Sequence, residues 1–238
     1  MTVSPPESVT IGVLALQGAF IEHIHYLERV QPQGTVVKAI AVRTPEELAL
    51  CDALVIPGGE STAITRVAAR TDGLLPALIE FVANPTKPVY GTCAGMILMA
   101  DDVGGGKRKG DGGRWGGMRG LKVWRNLYGG QLESFECAMT IPCLRGPEPF
   151  NAIFIRAPAV HSLSEVDGGV ATEVLASLPA ECVAAPPPAD SPLGEPDTEL
   201  TGAVMLRQGC KLVTSFHPEL SGDARIHEYW VEKCVLGQ

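Results

Sequence analysis

Apolar residues fall along the chain in two rhythms. Val9 to Leu16 (VTIGVLAL) is a continuous, β-branched run that stops at Gln17-Gly18, the pattern of a buried strand followed by a turn. From Ala19 to Val30 the period lengthens, with Phe20, Ile24, Leu27 and Val30 on one helical face. Val36–Val42 reads as a second strand. Thr44-Pro45-Glu46-Glu47 then has the composition of a helix start: a capping hydroxyl, proline in the first turn, and acids at the positive end of the dipole. Ala53–Ile56 is a third strand closed by Pro57-Gly58-Gly59, and helical stretches over 61–70 and 74–83 lead to Pro88-Val89-Tyr90. Strands alternating with helices predict an open parallel sheet with helices on both faces.

The pattern changes after Leu121. Short β-like runs cover Leu121–Trp124, Phe135–Ile141, Ala152–Ile155, Val170–Leu175, Ala203–Arg207 and Lys211–Phe216, the last two joined through the turn residues Gln208-Gly209. A helix from Asp223 to Val235 closes the chain. The predicted class is α/β: a doubly wound, mostly parallel sheet with flanking helices and added antiparallel strands, in one domain over residues 1–238. Two segments break the pattern. Residues 104–117 have glycine at 104, 105, 106, 110, 112, 113, 116 and 117 with basic residues between, and residues 184–200 are rich in proline and acids. Both are expected to be flexible surface inserts, because neither carries the apolar surface that offsets ordering entropy. The glycines of 104–117 match neither nucleotide-binding spacing.

Composition narrows the function classes. The chain has 238 residues, 19 Lys and Arg against 27 Asp and Glu, and a formal charge of −8. Net acidity without a dense basic block argues against sequence-independent binding to nucleic acid or an anionic membrane. No apolar run approaches the roughly 18–20 residues of a membrane span. Residues 1–8 hold two prolines and an acid, without the basic-then-apolar order of a signal peptide. A soluble, cytoplasmic protein is the expectation. The seven cysteines, at 51, 93, 137, 143, 182, 210 and 234, are odd in number and not clustered, so they suggest neither a disulfide scaffold nor a zinc site. Most read as small buried hydrophobes.

Cys93 is the exception. In Val89-Tyr90-Gly91-Thr92-Cys93-Ala94-Gly95 a short strand turns into an apolar helix, with glycines two residues before and two after the thiol. This is the layout of a nucleophile elbow, in which close strand–helix packing and a strained turn require glycine and expose the nucleophile at a helix N-terminus. A thiol nucleophile needs an imidazole to move its proton, and the imidazole needs a carboxylate to orient it. His217 and Glu219, in Ser215-Phe216-His217-Pro218-Glu219, supply both at the end of the last strand. A third segment, Ile56-Pro57-Gly58-Gly59-Glu60-Ser61, is a strand running through a Gly-Gly turn into a helix. Its backbone N–H groups at Gly58 and Gly59, with that of Ala94, are candidates to stabilise an oxyanion. Glu60 or Ser61 would equally serve as a helix cap, and the two readings are compatible.

These three motifs resemble those of class I (triad) glutamine amidotransferases. Leu16-Gln17-Gly18-Ala19, Glu22-His23-Ile24-His25, Trp124-Arg125-Asn126, Ser134-Phe135-Glu136 and Phe154-Ile155-Arg156-Ala157-Pro158 narrow the resemblance to the glutaminase subunits of pyridoxal phosphate synthases, from about Val9 to Glu232. The resemblance implies that Cys93 attacks the side-chain amide of L-glutamine, His217 shuttles protons and Glu219 orients His217. It further implies that Gly59, Glu60, Ser61, Arg125, Ile155 and Arg156 contact the substrate. Either arginine suits the α-carboxylate. No cofactor or metal is implied. The partner is a separate (β/α)8 synthase subunit that receives the ammonia, with Gln17 and the helix from Ala19 near that interface. Gly130 stands where the family commonly has arginine.

The alternatives are a glutaminase feeding another synthase, such as that of the histidine pathway, a silent partner subunit, and a Cys-elbow stress-response module without glutaminase chemistry. An intact His217-Pro218-Glu219 argues against the last two. His23 and His25 lack i, i+4 metal spacing and are expected on the helix surface or at an interface.

Overall fold

The buried, β-branched runs of the first half build the centre of a sheet, and each intervening amphipathic segment folds back over it. The computed structural model describes residues 6–105, 114–128, 134–166, 168–185 and 192–238. Strands β1 (Ser8–Leu14), β2 (Val36–Val42), β3 (Ala53–Ile56) and β4 (Val89–Thr92) alternate with helices α1 (Phe20–Leu27), α2 (Pro45–Ala49), α3 (Ser61–Arg70) and α4 (Leu74–Ala83). Helix α5 (Ala94–Met99) runs directly into β5 (Ala100–Gly104). There follow β6 (Met118–Trp124), β7 (Phe135–Met139), β8 (Phe150–Phe154), β9 (Ala159–Leu163), β10 (Thr172–Ser177), β11 (Ala203–Gln208) and β12 (Lys211–Thr214). Helix α6 (Arg225–Trp230) continues as one π-helical turn over Val231–Val235.

Seven strands form the main sheet in the order β10-β11-β12-β4-β3-β1-β2. The five from β12 to β2 are parallel, while β11 and β10 extend the edge antiparallel. A three-stranded sheet β5-β6-β9 and the hairpin β7-β8 lie outside it. Alternation along the strands divides the apolar side chains between two cores. Ile11, Val13, Val55 and Tyr90 face a layer that includes Leu27 of α1 and Trp230 of α6. Leu14, Leu54, Ile56 and Val89 face Ile64, Leu78 and Met96 from α3, α4 and α5. The predicted class and the first four strands agree with this arrangement. Thr44 caps α2 as expected, accepting from the Glu47 N–H while the Glu47 side chain accepts from the Thr44 N–H.

Several boundaries differ from the pattern. The first strand ends at Leu14, two residues early, and the chain turns through Gly18 at φ +97°. The last strand ends at Thr214 rather than Phe216, freeing the chain to carry His217 across the sheet edge. The predicted strand over 170–175 lies at Thr172–Ser177, and β5 and β9 were not expected. The inserts also need correction. Trp115 is 2 % exposed and its backbone N–H donates to the Leu98 carbonyl, so part of 104–117 is core rather than surface. Leu193, within 184–200, is buried, and the Asp197 N–H donates to the His161 carbonyl. Residues 106–113 and 186–191 of these inserts, and Gly130, lie outside the described residues.

Candidate active site

Parallel pairing brings the candidate nucleophile and its candidate base together. Thr92 at the end of β4 lies opposite Thr214 at the end of β12, and the Cys93 N–H donates to the Thr214 carbonyl at 2.8 Å. Cys93 and His217, 124 positions apart in sequence, thus meet at the carboxyl edge of adjacent strands, where open α/β sheets place their ligands. On the other side of β4, Ile56 pairs with Gly91, which sets the Gly58-Gly59 turn at the same edge.

Cys93 occupies the strained elbow, with φ 48° and ψ −99°. Gly91 and Gly95 make the turn possible: a Cβ on Gly95 would stand 2.2 Å from the Ile56 carbonyl oxygen, and one on Gly91 2.6 Å from the Gly95 backbone. Among the described residues only Cys93, Asn126 and Arg156 combine a side chain with positive φ, and all three line one cavity. Backbone strain collected at one cleft makes that cleft the candidate site.

That cavity has a volume of about 460 Å³. Cys93 and His217 line it together with Gly59, Glu60, Ser61, Arg125, Ile155 and Arg156, so every candidate substrate contact faces the same space as the nucleophile. Asn126 and Ile97 also line it and were not anticipated. Asn126 had a readable signal, since asparagine tolerates the left-handed region (here φ 51°) better than most residues. Two of the three oxyanion candidates, Gly58 and Ala94, are not among its lining residues, though each adjoins one in sequence. A second concavity of about 470 Å³ lies along residues 163–172 and Gln208, but its described lining holds no cysteine, histidine or arginine.

The His217 N–H donates to the Ile153 carbonyl at 2.8 Å, and its ring Nδ1 sits 2.7 Å from Glu219 Oε1. Pro218 and Glu219 begin a 3₁₀ turn, which directs the carboxylate back beneath the imidazole. Gly58 supports the ring from the other face, where a Cβ would be 2.3 Å from His217 Cε1. Burial alone would lower the His217 pKa, but hydrogen bonds to Cys93 and Glu219 and the charges of both outweigh it and push it up to about 10. The resting ring is therefore an imidazolium at neutral pH, hydrogen-bonded to both Cys93 and Glu219. Glu219 is buried, which would raise its pKa, yet His23 and His217 hold it below the usual carboxylate value. Elsewhere in the fold burial pushes the thiols of Cys51 and Cys137 up to about 11 and that of Cys234 up to about 12.

The raised His217 pKa has a consequence for stability. The folded protein keeps a proton on this ring at pH values where the unfolded chain, near 6.5, has lost it. The contribution is complete below about pH 6.5 and fades as pH rises towards about 10. The Tm advantage of the wild type over His217→Gln is expected to shrink across that window in thermal melts. A constant difference would contradict the assignment.

Glu60 carries two duties. Its carboxylate caps α3 by accepting from the N–H groups of Thr62 (3.0 Å) and Ala63 (2.7 Å), while its own N–H donates to Gln17 Oε1 at 2.7 Å. Burial, which would raise its pKa, is outweighed by the two N–H groups and the charge of Arg125. Gln17 and Gly18 thus clamp the Gly58-Gly59 turn directly, and a Cβ on Gly18 would stand 1.8 Å from the Gly58 oxygen. One expectation fails here. His25 is exposed, but His23 is wholly buried on the inner face of α1, beside Tyr26 and Leu27. The spacing contained the signal, since His23 falls four residues before the core residue Leu27.

The chain resembles known proteins over nearly its whole length. The SNO glutamine amidotransferase family matches residues 13–236, and the chain belongs to it. The pyridoxal 5'-phosphate synthase subunit PdxT of Herpetosiphon aurantiacus is 42% identical over 223 residues, 94% of this chain and 99% of that protein. The pyridoxal 5'-phosphate synthase subunit SNO1 of Saccharomyces cerevisiae is 38% identical, covering 98% of this chain and 96% of its own length. A crystal structure described as a glutamine amidotransferase superposes with a TM-score of 0.69 at 34% identity, over 96% of this chain and 99% of that one.

Proposed function

We propose that the chain is the glutaminase subunit of a pyridoxal 5'-phosphate synthase. It hydrolyses L-glutamine to glutamate and ammonia and passes the ammonia to a (β/α)8 synthase subunit in the cytoplasm. The observation that carries this reading is the meeting of Cys93, His217 and all six candidate glutamine contacts in one cavity. Relatives at 38–42% identity, named as subunits of that synthase in a bacterium and a yeast, supply the pathway. They favour neither a glutaminase of the histidine pathway nor a stress-response module. No helix among the described residues is long and apolar enough to cross a membrane.

The geometry supports two half-reactions. The Cys93 thiolate adds to the side-chain amide carbon of glutamine, and the carbonyl electrons move to oxygen. Backbone N–H groups of Gly58, Gly59 and Ala94 stabilise that oxyanion without reorganisation. His217 gives its proton to the amide nitrogen, the C–N bond breaks, and ammonia leaves a thioester on Cys93. Water then loses a proton to His217 and attacks the thioester, and glutamate departs as the thiolate re-forms beside a protonated ring. Arg125 or Arg156 pairs with the α-carboxylate, and their rigid donor forks fix the amide over the sulfur. Neutral ammonia is the useful product, so delivery to the partner must bypass bulk water.

Glutamate release by the isolated chain is expected to be weak, and to rise at least about tenfold when a pyridoxal phosphate synthase barrel is added, as binding completes the site. Rates of glutamate release with and without the barrel check this. Equal rates overturn the partner assignment, and no release in either case overturns the glutaminase.

A further inference from the structure

Behind the triad lies a buried polar cluster that the mechanism above does not use. His23 of α1 and His227 of α6 are both fully buried, with His23 Nδ1 2.9 Å from His227 Nε2. The opposite nitrogen, His23 Nε2, lies 3.3 Å from Thr92 Oγ1 and 3.4 Å from Glu219 Oε2. Oε1 of the same carboxylate serves His217. Oε2 is buried with no hydrogen-bond partner among the described residues, and a lone oxygen of a buried carboxylate is costly unless a donor stands near. From these contacts, and resting on the glutaminase reading above, we infer that His23 is a positioning residue of the triad: it presents a ring N–H to Oε2 of Glu219, and His227 fixes the tautomer that makes this possible.

The proton assignment follows from what each nitrogen meets. His227 Nδ1 is buried and has no partner among the described residues. A bare lone pair there costs less than an orphaned N–H, so the His227 proton sits on Nε2 and is donated to His23 Nδ1. The His23 proton is then confined to Nε2, the nitrogen that faces Glu219 and Thr92. Burial lowers the pKa of both rings, so each carries one proton. His227 is held in turn by stacking on Tyr26, at 4.8 Å between centroids and 8° between planes.

The consequence for catalysis runs through Glu219. A carboxylate buried this deeply with one partner would drift towards its neutral acid, and the neutral acid no longer stabilises the imidazolium. A second donor keeps it ionised and stops it rotating away from His217. The 3.4 Å separation is long for a hydrogen bond, as catalytic contacts commonly are before substrate binds.

The test measures kcat and KM for glutamine in the complex with the synthase barrel. His23→Leu is expected to lower kcat by about ten- to a hundredfold, within the range of acid–base assistance, with KM changed less than about threefold. His23→Gln, whose amide donates from nearly the same place as Nε2, should recover kcat to within about threefold of wild type. His227→Phe keeps the ring stack and removes the N–H that fixes the tautomer, and should lower kcat about fivefold. A His23→Leu protein with wild-type kcat overturns the inference, as does a His23→Gln protein that falls as far as His23→Leu, which would mark mere packing. If His23→Leu fails to fold, His227→Phe decides alone, an unchanged kcat overturning the inference. A wild-type complex that releases no glutamate removes the glutaminase reading and the inference with it. An active wild type with indifferent variants removes the inference alone.

Discussion

Cys93→Ala is expected to lower glutamate release by about 10⁴-fold or more while the protein folds and still binds its partner. Among the described residues that line the cavity, Cys93 carries the only thiol, so no described neighbour can form the thioester in its place. Its removal costs little structurally. The sulfur is at the cavity wall, 3.9 Å from the Ile155 carbonyl, and alanine tolerates the elbow backbone no worse than cysteine. His217 then loses the partner that contributes most to its raised pKa, so its proton should dissociate well below pH 10 in an NMR titration. The double variant Cys93→Ala, His217→Asn should be no slower than Cys93→Ala, because members of a triad act as a unit. Glutamate release in the presence of the synthase barrel is the measurement. Residual hydrolysis within about a hundredfold of wild type would mean that another nucleophile does the work.

The elements that carry chemistry were legible because they violate ordinary composition. Gly91 and Gly95 around a cysteine, Gly58-Gly59 after a buried strand and His217-Pro218-Glu219 after another each mark a place where backbone or charge is doing something a core does not require. Their meeting was legible only through the fold: β4 and β12 are neighbours because a parallel sheet places them so, not because of any spacing between residues 93 and 217. What escaped had weaker local signals. β5 contains two aspartates and is held by its one partner in the small sheet, β6, since its own sequence lacks strand character. Trp115 stands among glycines, so composition pointed to the surface, yet a single large apolar ring suffices to anchor such a segment. His23 was misjudged because polar residues on helices usually face water. Here helix periodicity placed it inside, and a carboxylate needed a donor there.

Gly95→Ala should damage stability and catalysis together, unlike Cys93→Ala. Gly95 packs α5 against β3 so closely that a methyl group would stand 2.2 Å from the Ile56 carbonyl oxygen and 3.2 Å from the Ile56 Cβ. Both atoms belong to the central sheet, flanked by β1 and β4, and cannot yield. The helix must move outward instead, and every residue of α5 is buried, so the shift opens gaps around Met96 and Leu98. Forced repacking of this kind costs about 3 kcal/mol, at the upper end of overpacking effects. The same movement carries the elbow with it. The Cys93 carbonyl accepts from the Ile97 N–H and the Cys93 N–H donates to Thr214, so the nucleophile is tied to both the moving helix and the fixed strand. Misplacing it by about 1 Å relative to His217 lowers kcat about a hundredfold. Urea unfolding and glutamate release by the complex measure the two effects. A variant with wild-type stability would show that α5 and β3 are not in contact here, and the strained elbow built on that contact would fall with it.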